Sequence, residues 1–136
     1  MKTLRKSLGL LFGKRPAAIQ VGALCLDDRG RVLLITSRST GRWVIPKGWP
    51  MEGRSLPGAA AREAWEEAGV IGRVDRAEIG RYTYLKQQDQ GYALPVEVSV
   101  FPLRVSKLAD NFPESKVRRR QWFDSSEAAR LVAEPG

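Results

Sequence analysis

The chain has 136 residues and a mass of 15.2 kDa, enough for one domain and too little for two. It has no histidine and a single cysteine, Cys25, which excludes Ser-His-Asp and Cys-His catalysis, histidine-ligated metals, internal disulfides and Cys-x-x-Cys motifs, so a bound metal would take oxygen ligands, as Mg²⁺, Mn²⁺ or Ca²⁺ do. With 23 Lys and Arg against 15 Asp and Glu, the net charge of +8 attracts polyanions: nucleic acid, anionic lipid or small polyphosphates.

Residues 1–14 are expected to form an N-terminal extension, and residues 15–136 a single domain. Lys2, Arg5 and Lys6 precede the apolar run Leu8-Gly9-Leu10-Leu11-Phe12, a faint imitation of a signal peptide. The run stops after five residues at Gly13-Lys14-Arg15, short of the usual apolar region, so a surface extension or short helix of a cytoplasmic protein is expected. No stretch reaches the roughly 18 apolar residues of a membrane span.

Residues 17–26 and 31–36 read as a strand pair around the turn Asp27-Asp28-Arg29-Gly30. Residues 37–41 read as a loop, residues 43–45 as a short apolar run stopped by Pro46, and residues 47–53 as irregular. Ser55 can cap a helix that tolerates Pro57 in its first turn. Residues 59–68 then hold five alanines and three glutamates, and Gly69 supplies the stop. Strands are predicted over 74–85, 96–105 and 118–123, with a hairpin tip at Asp89-Gln90-Gly91 and a terminal helix over 125–133. This order gives an α+β domain with a mixed sheet. Cys25, in an apolar strand, is expected to be buried and inert.

On the helix, Glu63, Glu66 and Glu67 fall within an arc of about 100°, spaced i, i+3 and i+4. Such like-charge spacing costs a few tenths of a kcal/mol per pair. Arg62 can answer Glu66 only from the flank, and the positions that could have carried lysines four residues on are Val70 and Ile71. A divalent cation resolves the repulsion; a solvated acidic helix is the alternative.

Gly48, Arg62-Glu63-Ala64-Trp65-Glu66-Glu67-Ala68-Gly69 and Val70 stand at the spacings of the Nudix box, G-x5-E-x7-R-E-U-x-E-E-x-G-U, and the chain resembles the Nudix hydrolase family. The resemblance implies a Nudix fold, a mixed sheet sandwiched by helices. Arg38 with Arg42-Trp43 ahead of Pro46-Lys47-Gly48, and the arginine run before Trp122-Phe123, are similar to the diphosphoinositol polyphosphate and dinucleoside polyphosphate phosphohydrolases of that family. The resemblance implies metal-dependent cleavage of a phosphoric anhydride. Glu63, Glu67 and the Gly48 carbonyl would hold Mg²⁺ or Mn²⁺, with Glu66 as a further ligand or proton acceptor and Glu97 and Glu114 as more distant candidates for the base.

One position departs from the box: Arg54 replaces the glutamate that the family uses to brace Arg62, and Glu52 is the substitute expected. Arg54 also adds a cation near the phosphates. Lys47, Arg38, Arg42 and Arg54 are the phosphate-binding candidates. Arg118, Arg119 and Arg120 alternate faces in a strand, so Arg118 and Arg120 either contact substrate or belong to a solvated edge. Trp43 and Trp49 either stack on a base or pack in the core. A small polyphosphate is the expected partner; with no RNA-binding signature motif, nucleic acid is not.

Overall fold

A computed structural model describes residues 18–88 and 91–132. The expected N-terminal extension, and Asp89 and Gln90 of the expected hairpin tip, lie outside the described residues. The elements are β1 (Ala18–Leu26), β2 (Val32–Thr36), β3 (Trp43–Val44), β4 (Lys47–Gly48), α1 (Leu56–Ala68), β5 (Val70–Val74), β6 (Gly80–Gln87), β7 (Ala93–Leu108), β8 (Arg120–Phe123) and α2 (Ser125–Val132).

The mixed sheet is built around β7. One edge of β7 runs parallel to the whole of β1, from Ala18↔Val96 to Leu26↔Arg104. Antiparallel partners take the rest of β7, β6 along its first half and β5 along its second. Strand order is β3-β2-β1-β7-β5, with β4 on β1, β6 on β7 and β8 on β2. Side chains alternate between the two faces. Val21, Ala23, Cys25, Leu33, Ile35, Phe101 and Leu103 pack beneath α1. Val32, Leu34, Val96, Val98 and Val100 form a second core with Ala128 of α2. The sheet is therefore covered by a helix on each face.

Helix α1 begins as its sequence predicts. The Ser55 hydroxyl accepts a hydrogen bond from the Gly58 N–H at 3.1 Å. Ala59, Ala60, Ala64 and Ala68 are buried on the sheet, so short side chains bring the helix axis close. Gly69 ends it at φ +69°, and a Cβ there would lie 2.5 Å from Phe112 and 2.9 Å from the Ala109 carbonyl. Gly69→Ala should therefore cost about 1–3 kcal/mol, combining left-handed strain with the clash, and thermal denaturation measures it directly.

Several expected boundaries are corrected. The single strand over 74–85 is two, because residues 75–79 turn away: the Asp75 carboxylate accepts from the Ala77 N–H at 3.0 Å and the chain rejoins β7 through the Ile79 N–H. Strand β7 extends beyond 96–105 at both ends because β6 and β5 pair its outer edge in succession. Lys47 and Gly48, expected to be irregular, pair with Gly22 and Val21 of β1. Cys25 is fully buried, and burial pushes its thiol up to about 12, so it is chemically inert. Trp43 packs edge-on against Phe123 at 5.0 Å with the Arg119 guanidinium over its ring. Among the described residues no helix is long and apolar enough to cross a membrane.

Candidate active site

Helix α1 crosses the sheet where β4 pairs with the middle of β1, and this crossing assembles the acids. Glu63 packs on Gly48 so tightly that a Cβ on residue 48 would lie 2.2 Å from the Glu63 carboxyl carbon. One turn further on, Glu67 accepts from the Lys47 N–H at 3.1 Å. Glu63 and Glu67 thus converge on the two residues of β4 and hydrogen-bond to each other.

Glu66 does not join them. It lies about 60° around the helix from Glu63 and pairs with Arg62 at 2.8 Å. Arg62 is therefore braced by Glu66, not by Glu52, which is exposed. Among the described residues no three acidic side chains close on one point.

The electrostatics follow from this crowding. Burial, reinforced by the charges of Glu67 and Glu66, pushes the Glu63 carboxyl up to about 8. Burial also raises Glu67, against the opposing pull of Arg118 and the Lys47 N–H. Burial lowers the Lys47 ammonium, while Glu67 draws it back.

Arg118 locks the acidic pair to the rest of the fold. Its guanidinium lies 3.3 Å from Glu67, donates to Glu114 at 2.7 Å and donates to the Thr36 carbonyl at 2.9 Å, with the side chain only 12% exposed. Glu114 is anchored in turn by its backbone N–H, which donates to the Glu66 carbonyl at 3.0 Å.

Beside Glu67 opens a cavity of about 260 Å³ ringed by Arg38, Lys47, Lys86 and Arg118. Gln20 and Tyr84 form part of its wall: the Tyr84 hydroxyl donates to the Gln20 amide oxygen at 2.8 Å, and the Lys47 ammonium lies 4.9 Å over the Tyr84 ring. Four cations against one carboxylate give the cavity an excess of positive charge, which suits a multiply charged anion.

The other expected site residues lie elsewhere. Arg42 stands half-buried in the loop before β3, and Arg54 is exposed in the turn before α1; neither lines the cavity. Arg120 shares the face of Arg118, but its guanidinium donates to the Ala68 carbonyl at 2.7 Å and lies over Phe112, so it caps the end of α1. Neither Glu97 nor Glu114 lines the cavity: Glu97 pairs with Arg81 at 3.3 Å, whereas Glu114 pairs at 2.7 Å with Arg118, which does line it. Trp49 is 43% exposed and lines no part of the cavity.

Gln20, Tyr84 and Lys86 are functional candidates that sequence reasoning passed over. Their signals are faint: a glutamine within an apolar strand that proves 3% exposed, and the period-2 series Tyr82, Tyr84, Lys86.

The donor set fits a divalent cation. Two buried carboxylates held against a glycine backbone with no space for a side chain are hard oxygen donors in a place where their own charges repel. Without metal, Glu63 keeps its proton to about pH 8, whereas an unfolded chain loses it near the ordinary 4.5. That ionisation therefore opposes folding as pH rises through this window. A metal must displace the same proton, so Mg²⁺ affinity should climb as pH rises toward about 8, with protons released at pH 7. Calorimetry in buffers of different ionisation enthalpy checks this; identical heats in all buffers would contradict it.

The chain matches the NUDIX domain over residues 16–136. It is 35% identical over 104 residues to "Nudix hydrolase 17, mitochondrial" of Arabidopsis thaliana, covering 76% of this chain and 54% of that protein. It is 32% identical over 124 residues to "Diphosphoinositol polyphosphate phosphohydrolase 3-alpha" of Mus musculus, covering 86% of this chain and 71% of that one. The crystal structure of the MutT protein from Methanosarcina mazei Go1 superposes with a TM-score of 0.63 at 24% identity, covering 90% of this chain and 87% of that one; at this identity the likeness concerns the fold. The chain spans about half the length of the plant relatives it matches.

Proposed function

The chain belongs to the Nudix family, and from that premise we propose that it is a Mg²⁺- or Mn²⁺-dependent pyrophosphohydrolase that cleaves a diphosphate linkage in a small, highly charged polyphosphate. The observation that carries this reading is that two oxygen-donor acids of α1, held against β4, stand beside a cavity walled by four cations.

Glu63, Glu67 and the Gly48 carbonyl would hold the ion, and Glu66, paired with Arg62 here, would serve as a further ligand or as proton acceptor for the attacking water once freed from that pair. When bound, the ion supplies charge neutralisation on the phosphates and acidifies a water. The chain's own side chains do the rest. Arg38, Lys47 and Lys86 grip the phosphate oxygens and draw the anhydride against the acids. Arg118 favours the ionised form of Glu67 against the burial that raises it and aims the carboxylate, acting through that group. Diphosphate hydrolysis needs little covalent help from a protein, so positioning and charge account for most of the catalysis.

The substrate favoured by this arrangement carries clustered phosphates without needing a stacked base. Lys47 covers the ring of Tyr84, the one aromatic among the described residues that lines the cavity, and Trp43, outside the lining, is covered by Phe123 and Arg119. Diphosphoinositol polyphosphates meet this description best, ahead of dinucleoside polyphosphates and nucleoside diphosphate derivatives. Incubation with a panel of all three, with Mg²⁺ or Mn²⁺, tests the reading. Phosphate release fastest from the inositol compounds is expected; no release from any member would overturn it.

The Arg62–Glu66 pair favours a second reading, a polyphosphate-binding module with slow turnover. With arginine at position 54, Arg62 has taken Glu66 as its partner. Arg54→Glu should return Arg62 to the loop and raise turnover at least about tenfold; unchanged turnover in that variant would contradict this reading.

A further inference from the structure

At the opposite end of the sheet lies a second concavity, about 460 Å³, with apolar side chains from Leu26 and Pro102, the backbone of Val74, a rim of Arg73, Arg76 and Arg104, and one acid, Asp75. Gln20 and Leu26 are six residues apart along β1, so this cleft is roughly 20 Å from the catalytic cavity, and a small molecule cannot bridge the two.

The backbone forces the charges together here. Arg73 of β5 stands directly across from Arg104 of β7, a like-charge cross-strand pair that costs stability. A register shift between Ile71 and Gly72 sets this alignment. Gly72 allows it, because a Cβ there would lie 2.1 Å from the Arg104 carbonyl oxygen.

The acids nearby do not answer these cations. Asp75, which lines the cleft, accepts from the Ala77 N–H and forms no ion pair among the described residues, so three guanidiniums face one carboxylate there, and Asp27 is taken by Arg31 at 2.7 Å. Asp28 approaches Arg104 only at 3.7 Å from a position 95% exposed. Among the described residues no ion pair forms to Arg73 or Arg76. An ordinary solvated face would spread such charges over a convex surface; this one gathers three guanidiniums around an apolar hollow.

We propose that this cleft binds a small organic phosphate. The phosphate bridges Arg73 and Arg104, relieving their repulsion through bidentate hydrogen bonds, and the organic body lies on Leu26 and Pro102. Arg76, from the loop after β5, closes over the ligand.

The test is a titration of isotope-labelled protein, without divalent metal, followed by backbone amide shifts, with adenosine monophosphate as the probe because it has no anhydride to cleave. Saturable shifts at Arg73, Val74 and Arg76 are expected. The Arg73→Gln/Arg104→Gln double variant and the single loop variant Arg76→Gln should each weaken them about tenfold or more. Polyphosphate hydrolysis by these variants should match that of the unaltered chain, which separates this proposal from the catalytic one. Inorganic phosphate should bind about tenfold more weakly than the nucleotide. Absence of shifts at these residues, or identical affinity in the variants, would overturn the proposal. Equal binding of inorganic phosphate would remove the organic body from it, and a short RNA binding far more tightly than the mononucleotide would replace it with a nucleic-acid surface.

Discussion

Glu67→Gln should reduce polyphosphate hydrolysis by at least about a hundredfold while the protein stays folded. The amide is isosteric and can still accept from the Lys47 N–H through its oxygen, so the β4–α1 contact survives. What is lost is the charge that faces both the cavity and Arg118. Two controls sharpen the reading. Glu63→Gln should produce a similar loss, because Glu63 shares the contact with β4. Glu66→Gln removes a partly exposed helix pair worth about 0.5 kcal/mol in stability, so a large loss of turnover in that variant assigns Glu66 a direct chemical role. Wild-type turnover in Glu67→Gln, measured as phosphate release with saturating Mg²⁺, would sink the assignment of this carboxylate.

Arg118→Ala should be the most destabilising single change in the site, by about 3–5 kcal/mol. Its guanidinium holds two carboxylates and a backbone carbonyl at once, and both the Arg118 and Glu67 side chains are almost wholly buried. Removal leaves Glu67 and Glu114 as uncompensated charges beside Glu63. In a domain of this size the melting temperature should fall by about 10 °C or more. Arg118→Lys should recover little, since one ammonium cannot reach three acceptors arranged around a planar fork. Adding Glu114→Gln to Arg118→Ala should recover part of the loss, because it removes one of the stranded charges. A loss below about 1 kcal/mol, or no recovery in the double variant, would show that the network is surface decoration.

The contrast between these two residues marks how far the sequence could be read. The acids were legible because a helix has a fixed period: Ser55, the alanine run and Gly69 set its ends, and 100° per residue places Glu63 and Glu67 one above the other. The same period puts Glu66 on that face as well, and only the side-chain geometry turns it toward Arg62. Arginine alternation correctly separates Arg119 from its neighbours. It cannot say that Arg120 meets the Ala68 carbonyl at the end of α1 while Arg118 meets Glu67, since this depends on where the last turns of α1 lie relative to residues 118–120.

The strand boundaries show the same limit. Local pattern marks β1 and the alternating middle of β7. The length of β7 comes from partners far away in sequence, and the break between β5 and β6 comes from a turn that Asp75 closes. The cavity wall was the least legible part. Gln20, Lys47 and Tyr84 meet only because β4 pairs with β1, β1 with β7 and β7 with β6, and no local signal in any of the three announces the others.

The central claim is that Glu63 and Glu67, pressed against Gly48, form the seat of a divalent ion, and direct titration with Mn²⁺ near pH 8, read by calorimetry and by the loss of free-ion paramagnetic signal, addresses it most simply. Saturable uptake by the unaltered chain, abolished in Glu63→Gln/Glu67→Gln and preserved in Arg73→Gln/Arg104→Gln, is the expected result. No uptake, or uptake unchanged when both acids are neutralised, would contradict it.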